Sequence, residues 1–446
     1  MQQSHQYRRG SPREMEKTMP LSEVDGLLEP NPNYARVPFK DIVMTIIFFI
    51  SIPWRFLYWL VYRISRRSIS DRPPSFLTDC WRSFARAGTA NLPITTTRAL
   101  FRMPASTILE SPRFSSLTPR PCVPVRTPHF AGMWIVRGTP DPADSDVVLF
   151  VLHGGAFVVG EPTMNAVTML RMAEIANERG TKLSPPTSKE KKHASTSSTS
   201  TASTDTAIPD PSPLTLSIFS LDYSLAPETR FPAPIDEAEA AYTHLLHKLR
   251  IPASKLAIYG ESAGAHIALA LLLRTQHTQP RPGAGLHLVA PWLSLLNGGA
   301  SFERNRHRDT LIKEALDFAT DVYLGGERER ASAAGQLDFG DELDANVWGD
   351  GNGQRPTWDA VLPARTYVSC GGDEVLVDDA LRFASRARAD GAAVEVEVEQ
   401  GASHAWQGMM DALDVPAYLK MQPGEVVPVE MMRGTRILTE AVLRGM

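Results

Sequence analysis

Leu256-Ala257-Ile258-Tyr259-Gly260-Glu261-Ser262-Ala263-Gly264-Ala265-His266 decides how this chain is to be read. Its first four residues make an apolar run of strand length, and from Ala263 to Leu273 the pattern is that of a buried helix. Between the two lies Gly-x-Ser-x-Gly, centred on Ser262. A strand that turns at once into a helix has no room for side chains beside the turn. Glycines at 260 and 264 therefore let a serine point outward from the end of a sheet. The N–H groups at the start of the helix behind it lack intrahelical partners and favour developing negative charge. Alone the pattern is a modest signal; its strand–turn–helix setting gives it weight.

On either side of this turn, apolar runs of strand length alternate with helical patterns, which predicts an α/β fold with a mostly parallel sheet flanked by helices. Strands are expected at Val147–Leu152, Leu214–Leu221, Leu256–Tyr259, Leu286–Ala290, Thr366–Ser369 and Val394–Val398, with an earlier antiparallel strand at Met133–Val136. Helices are expected at Ala166–Glu178, Ile235–Leu249, Ala263–Leu273, Ala380–Ala389 and Glu430–Leu443. Two stretches break the alternation. Residues 181–213 hold a lysine-rich run and a Ser/Thr tract too polar to bury a core. Residues 325–357, rich in Gly, Asp and Glu, read as a second surface insertion. The remainder of 76–446 is of a size for one large domain, with a cap expected from residues 76–120 and part of 298–345.

Composition narrows the class. Of 446 residues 43% are hydrophobic and 22% charged, which excludes wholesale disorder and a polytopic membrane protein. A net charge of −4 gives no basic field for nucleic acid, so no nucleic-acid partner is expected. Cys80, Cys122 and Cys370 are scattered and odd in number, giving neither a disulfide framework nor a metal-ligand spacing. No metal and no cofactor are expected.

Residues 1–40 are polar and read as disordered, without the apolar run of a cleaved signal peptide. Residues 41–64 follow as a membrane anchor helix. From Ile42 to Tyr62 the only charge is Arg55, and about 20 helical residues cover a bilayer core. Trp54, Tyr58, Trp59 and Tyr62 gather toward one end as interfacial aromatics do, followed by Arg63, Arg66 and Arg67. Pro53 and Arg55 argue against a span, although a long arginine stem can snorkel. A single-pass span through 42–62 is the expectation; an in-plane anchor and an apolar helix of a soluble cap are the alternatives. Flanking arginines put the main domain in the cytosol by the positive-inside rule, with the sidedness left open.

The chemistry-bearing residues lie at strand ends. His153-Gly154-Gly155-Ala156 follows Val147–Leu152, and consecutive glycines let backbone N–H groups approach a substrate oxygen. With the Ala263 N–H they would form an oxyanion hole. A serine hydroxyl needs a base, and the base an orienting acid. His404 follows the last expected strand on a loop, whereas His266 lies on the elbow helix with its ring directed down it. Asp373 follows Thr366–Ser369 at the same sheet edge and is taken as the acid, with Glu374, Asp378 and Asp379 as competing carboxylates.

These motifs resemble the hormone-sensitive lipase branch of the α/β-hydrolases. His153-Gly154-Gly155 is similar to its oxyanion motif, and Asp222-Tyr223-Ser224-Leu225-Ala226-Pro227-Glu228 to its Asp-Tyr-Arg-Leu-Ala-Pro-Glu segment. Gly372-Asp373-Glu374 and Ser403-His404-Ala405-Trp406 fit its acid and base segments, and the likeness covers about residues 120–445 apart from the insertions. The resemblance implies an α/β-hydrolase fold with a helical cap, Ser262 as nucleophile, Asp373 as acid and His404 as base. Gly154, Gly155 and Ala263 would then supply the oxyanion N–H groups, with Glu261, His153 and Asp222 in support. Ala156 departs from the family's third glycine, and Ser224 from its arginine.

An anchor ahead of such a domain resembles membrane-bound steryl acetyl hydrolases and arylacetamide deacetylases. That implies a short acyl ester of an apolar alcohol as substrate and, often, an endoplasmic reticulum location. A catalytically idle small-molecule receptor on the same scaffold is the competing class, and acyl transfer or amide hydrolysis would use the same residues. Related receptors lack the catalytic histidine, which His404 supplies here.

Overall fold

In the computed structural model the described residues are 37–66, 75–102, 105–115, 120–179, 213–326, 337–340, 343, 345–349 and 354–444. The expected polar segment 1–40 and the 181–213 insertion lie outside them, save 37–40 and 213.

Strand β1 (Val123–Arg126) and strand β2 (Ala131–Val136) are followed by β3 (Val147–Leu152), β4 (Leu216–Asp222) and β5 (Leu256–Glu261). Then come β6 (Gly285–Val289), β7 (Thr366–Gly371) and β8 (Val394–Glu399), in one sheet ordered β1-β2-β4-β3-β5-β6-β7-β8. β3 to β8 run parallel, whereas β2 pairs antiparallel with both β1 and β4. β3 is apolar at every position because both its faces are covered, as a parallel strand requires. Val148, Phe150 and Leu152 face one core, and Val147, Leu149 and Val151 the other.

Helices complete three layers. In chain order they are α1 (Phe39–Arg66), α2 (Phe76–Asn91), α3 (Ile94–Phe101), α4 (Ala166–Glu178) and α5 (Ala233–Thr243). α6 (Ala263–Thr275), α7 (Lys313–Leu324), α8 (Val377–Ala389) and α9 (Arg433–Leu443) follow, with shorter turns between. The cores place α5, α6 and α8 with α7 on one face of the sheet, and α4 and α9 on the other. α6 is buried over nearly its whole length, which explains a helix apolar all round.

The expected strands are present within two residues at each end, and Ala166–Glu178 is a helix with those bounds. Two readings are corrected. β1 was not expected, because Pro124 interrupts its short run; as the edge strand it tolerates a missing donor. Residues 325–357 are not simply a surface insertion. Leu337, Phe339, Leu343 and Trp348 are buried in the main core, and acidic neighbours masked that sparse apolar spacing.

Parallel order brings the carboxyl ends of β3, β5, β7 and β8 to one edge of the sheet. The elbow serine, the glycine pair, the acid segment and the base segment all leave the sheet there.

Candidate active site

Ser262 leaves β5 with φ 53° and ψ −116°, a conformation that costs an L-residue on the order of 1–3 kcal/mol. Its N–H donates to Val289 O at 2.9 Å, and its carbonyl accepts from Trp292 N–H at 3.1 Å, so the end of β6 holds the turn in place. The flanking glycines are steric necessities. A Cβ on Gly260 would lie 2.6 Å from Ala265 Cα, and one on Gly264 would lie 2.0 Å from the Leu152 carbonyl oxygen. Ala263 is the first residue of α6, so its N–H has no carbonyl four residues back.

Leu152 pairs with Gly260 across β3 and β5, which carries the next residues of β3 to the elbow. A Cβ on Gly154 would lie only 3.4 Å from Ser262 Cβ. Gly155 has φ 115°, and Ala156 and Phe157 continue at 54° and 63°. Position 156 is left-handed, a conformation that glycine adopts freely and alanine holds under strain. Phe157 offsets that strain, being fully buried and stacked on Tyr323 with centroids 3.9 Å apart. His153 stacks on Tyr223 at 4.1 Å, and the Tyr223 hydroxyl donates to His153 O at 2.8 Å. Burial pushes the His153 imidazole down to about 4, so the ring is neutral. Its Nδ1 lies 2.7 Å from the Gly154 carbonyl, which must accept the proton. His153 thus braces the oxyanion loop.

The acid segment corrects the sequence reading. β7 runs on to Gly371, and the turn is closed by the Glu374 N–H donating to Gly371 O at 3.1 Å. This fold-back sends Glu374 inward and Asp373 outward. His404 Nδ1 lies 3.2 Å from Glu374 Oε2, and Glu374 Oε1 accepts the Gly371 N–H. Glu374 is fully buried. Asp373 instead meets Arg82 at 3.0 Å and Arg308 at 3.5 Å. Asp378 pairs with Arg304 and Asp379 with Arg382, so neither faces the histidine. The carboxylate beside His404 is Glu374, not Asp373.

Burial disfavours a charged His404, but the hydrogen bond and charge of Glu374, with Asp309 and Glu261 behind, outweigh it and hold its pKa above the ordinary value. Burial likewise raises Glu374, against the pull of the imidazole. Glu261 is raised by burial and accepts from Asn165 Nδ2 at 3.0 Å. Glu261 and Ala405, the neighbours of Ser262 and His404, line one small polar pocket with Asn165, Tyr259 and Gln407. His266 is buried in the core between Phe157 and Phe339, and burial drives its pKa down to about 3.

Asp222 ends β4 exposed, opposite Ala131. The support in its segment comes from its neighbours. Ser224 N–H and Oγ donate to Glu237 at 2.6 and 2.5 Å. Glu228 is gripped by both terminal nitrogens of Arg98, each at 2.9 Å.

Three positioning residues escaped the sequence reading. Buried Asp309 accepts the N–H groups of His404 at 2.9 Å, of Thr310 at 2.7 Å and of Val375 at 2.7 Å, tying the base and acid loops together. Arg82 of α2 bonds Asp373 and the Gly401 carbonyl, bridging the same two loops. Arg98 of α3 donates to Val158 O at 2.7 Å and Ala226 O at 2.8 Å, bracing the oxyanion loop. Nothing in Arg306-His307-Arg308-Asp309 announces such a role. The two arginines look in sequence like the solvated face of a helix.

Residues 212–408 match a family profile described as alpha/beta hydrolase fold. An esterase of Acinetobacter venetianus is 27% identical over 270 residues, covering 60% of this chain and 69% of that protein. An acetyl-hydrolase of Streptomyces hygroscopicus is 31% identical over 193 residues, covering 43% of this chain and 57% of its own. Among solved structures, an esterase of the bacterial hormone-sensitive lipase family superposes with a TM-score of 0.55 at 23% identity, covering 83% of this chain and 97% of the other. A hormone-sensitive lipase from a metagenome library gives 0.52 at 19% identity, covering 82% and 98%. The family profile, these likenesses and the eight-stranded, mostly parallel sheet give the chain the α/β-hydrolase fold.

Proposed function

We propose that this chain is a serine carboxylesterase in which Ser262 is the nucleophile, His404 the general base and Glu374 the acid that orients it. The observation that carries the reading is the 3.2 Å contact of His404 Nδ1 with a buried carboxylate, at the sheet edge where the strained Ser262 turn emerges. Nδ1–H donates to Glu374, which fixes the tautomer and leaves Nε2 to take the serine proton. Ser262 Oγ attacks the ester carbonyl, and negative charge develops on its oxygen beside the N–H groups of Gly154, Gly155 and Ala263. The imidazolium then protonates the departing alcohol, and water repeats the cycle on the acyl-enzyme. Glu374 stabilises the transient imidazolium without taking its proton.

The names of the relatives favour short acyl esters. Apolar exposed residues on α1, α2 and α3 favour an apolar alcohol presented at a membrane, to which α1 attaches the chain. Hydrolysis of p-nitrophenyl acetate and butyrate tests the reaction class. The wild-type protein turns these esters over and Ser262→Ala does not; undiminished hydrolysis by that variant overturns the assignment.

A further inference from the structure

Helix α1 is 28 residues long, about 42 Å, and is apolar enough to cross a bilayer. Its few polar groups are not scattered. Asp41, Thr45, Arg55 and Arg63 fall with Phe48 and Trp59 on one stripe repeating every three to seven residues, and that stripe faces the catalytic domain. Thr95 Oγ1 donates to Asp41 at 2.7 Å, Thr45 meets Thr96 at 2.7 Å, and Arg55 donates to Asn91 at 3.1 Å. Phe48 packs on Phe84, Trp59 on Phe76, and Arg63 pairs with Asp79. The contacts run from 41 to 63, about 33 Å of helix, as long as a bilayer core is thick.

A helix bound along that whole length cannot cross a membrane without taking α2 and α3 with it. Those helices carry Arg82, Arg86 and Arg98, and Arg82 and Arg98 are bonded to the loops of the active site. Charged side chains at that depth are costly. Lying flat is not. All three helices carry exposed apolar side chains: Ile46, Ile47, Ile50, Trp54 and Leu57 on the side of α1 away from that stripe, Leu77 and Trp81 on α2, and Leu100 and Phe101 on α3. Leu77 is 78% exposed and Trp81 50%. Cations stand at both ends of α1: Lys40 is exposed at one end, and at the other the Tyr62–His307 ring contact brings the exposed Arg306 and Arg308 alongside.

We propose that α1, α2 and α3 together form a monotopic face that lies in the interface of a lipid bilayer, α1 running in the membrane plane instead of spanning it. The loops that hold Ser262, Glu374 and His404 hang from the protein side of this face, so an ester dissolved in the lipid reaches the site without crossing water. This last consequence rests on the esterase reading; the topology does not.

The test uses the full chain in sealed vesicles containing anionic lipid, with epitope tags at both termini. Protease digestion without detergent is expected to treat both tags alike, because the chain does not cross. One tag protected and the other cleaved overturns the proposal. In the second arm, Leu77→Glu with Trp81→Glu is assayed on an acetyl ester embedded in the vesicles and on a soluble p-nitrophenyl ester. Turnover of the embedded ester is expected to fall about tenfold with the soluble rate unchanged, since charges on α2 oppose insertion of that face. Equal rates on the embedded ester, an equal fall on both, or cross-linking of position 81 to a second copy of the chain would each overturn the lipid assignment of α2. If the wild-type protein hydrolyses neither ester, the esterase reading fails, and the tag experiment still decides the topology.

Discussion

Replacing Glu374 by glutamine is the sharpest perturbation of the proposed machinery. The glutamine keeps the length of the side chain and an oxygen for the Gly371 N–H, but presents an amide where His404 Nδ1 now meets a carboxylate oxygen at 3.2 Å. The imidazole loses both the acceptor that fixes its tautomer and the charge that stabilises its cation. Removing the orienting acid of a catalytic triad lowers turnover by roughly 10,000-fold, which corresponds to about 5.5 kcal/mol of transition-state stabilisation. Asp373→Asn is the paired control. Its carboxylate meets Arg82 and Arg308, so its loss weakens a loop contact and is expected to cost at most about tenfold, as for removal of a supporting contact and not of a member of the triad. The assay is kcat/KM for a p-nitrophenyl short-chain ester, with thermal unfolding recorded on each variant to exclude misfolding. A larger loss in Asp373→Asn than in Glu374→Gln, both folded, refutes the assignment of the acid.

Other outcomes follow from the same geometry. His404 must be neutral to accept the serine proton, and Glu374 raises its pKa, so kcat/KM is expected to climb with pH through a midpoint above the ordinary imidazole value of 6.5. In Glu374→Gln burial is opposed only by the weaker pull of Asp309 and Glu261, and the midpoint of the residual activity should move below that of the wild-type protein; an unmoved midpoint in the pH–rate profile counts against the pair. Asp309→Asn turns one amide N–H toward a backbone donor and leaves a buried group unsatisfied, at a cost of about 1–3 kcal/mol. A lower unfolding temperature and a kcat reduced with KM little changed are expected from calorimetry and steady-state kinetics. Gly264→Ala forces a methyl to within 2.0 Å of the Leu152 carbonyl oxygen, backbone that cannot step aside, so loss of soluble folded protein is expected on size-exclusion chromatography. Ala156→Gly relieves a positive φ and should raise stability by roughly 0.5–1 kcal/mol in denaturant unfolding.

How much of this was legible in the sequence depends on the range of the interaction. The strands were readable because a buried parallel strand such as Val147–Leu152 is apolar throughout, and the elbow because steric demands at 260 and 264 admit only glycine. His404 could be singled out by its place after the last strand. The carboxylate that faces His404 lies one residue past the one expected, since the choice between Asp373 and Glu374 depends on a turn closed by one hydrogen bond after Gly371, which composition does not encode. Asp309 and Arg82 act across 66 to 319 residues of chain, and contacts of that separation leave no local pattern. The acidic run around residue 340 concealed four buried apolar side chains for a different reason: their positions, 337, 339, 343 and 348, follow neither helical nor strand periodicity. The stripe of Asp41, Thr45, Arg55 and Arg63 on α1 went unread in the sequence, and only its partners on α2 and α3 show that it faces protein.

The central claim is that Ser262 is a nucleophile activated by His404. Reaction of the wild-type protein with a fluorophosphonate, followed by peptide mass spectrometry, measures this directly. A single adduct on the peptide containing Ser262, formed rapidly in the wild-type protein and not in folded His404→Ala, is the predicted result. An adduct on another serine, or equal labelling of Ser262 when residue 404 is alanine, would contradict it.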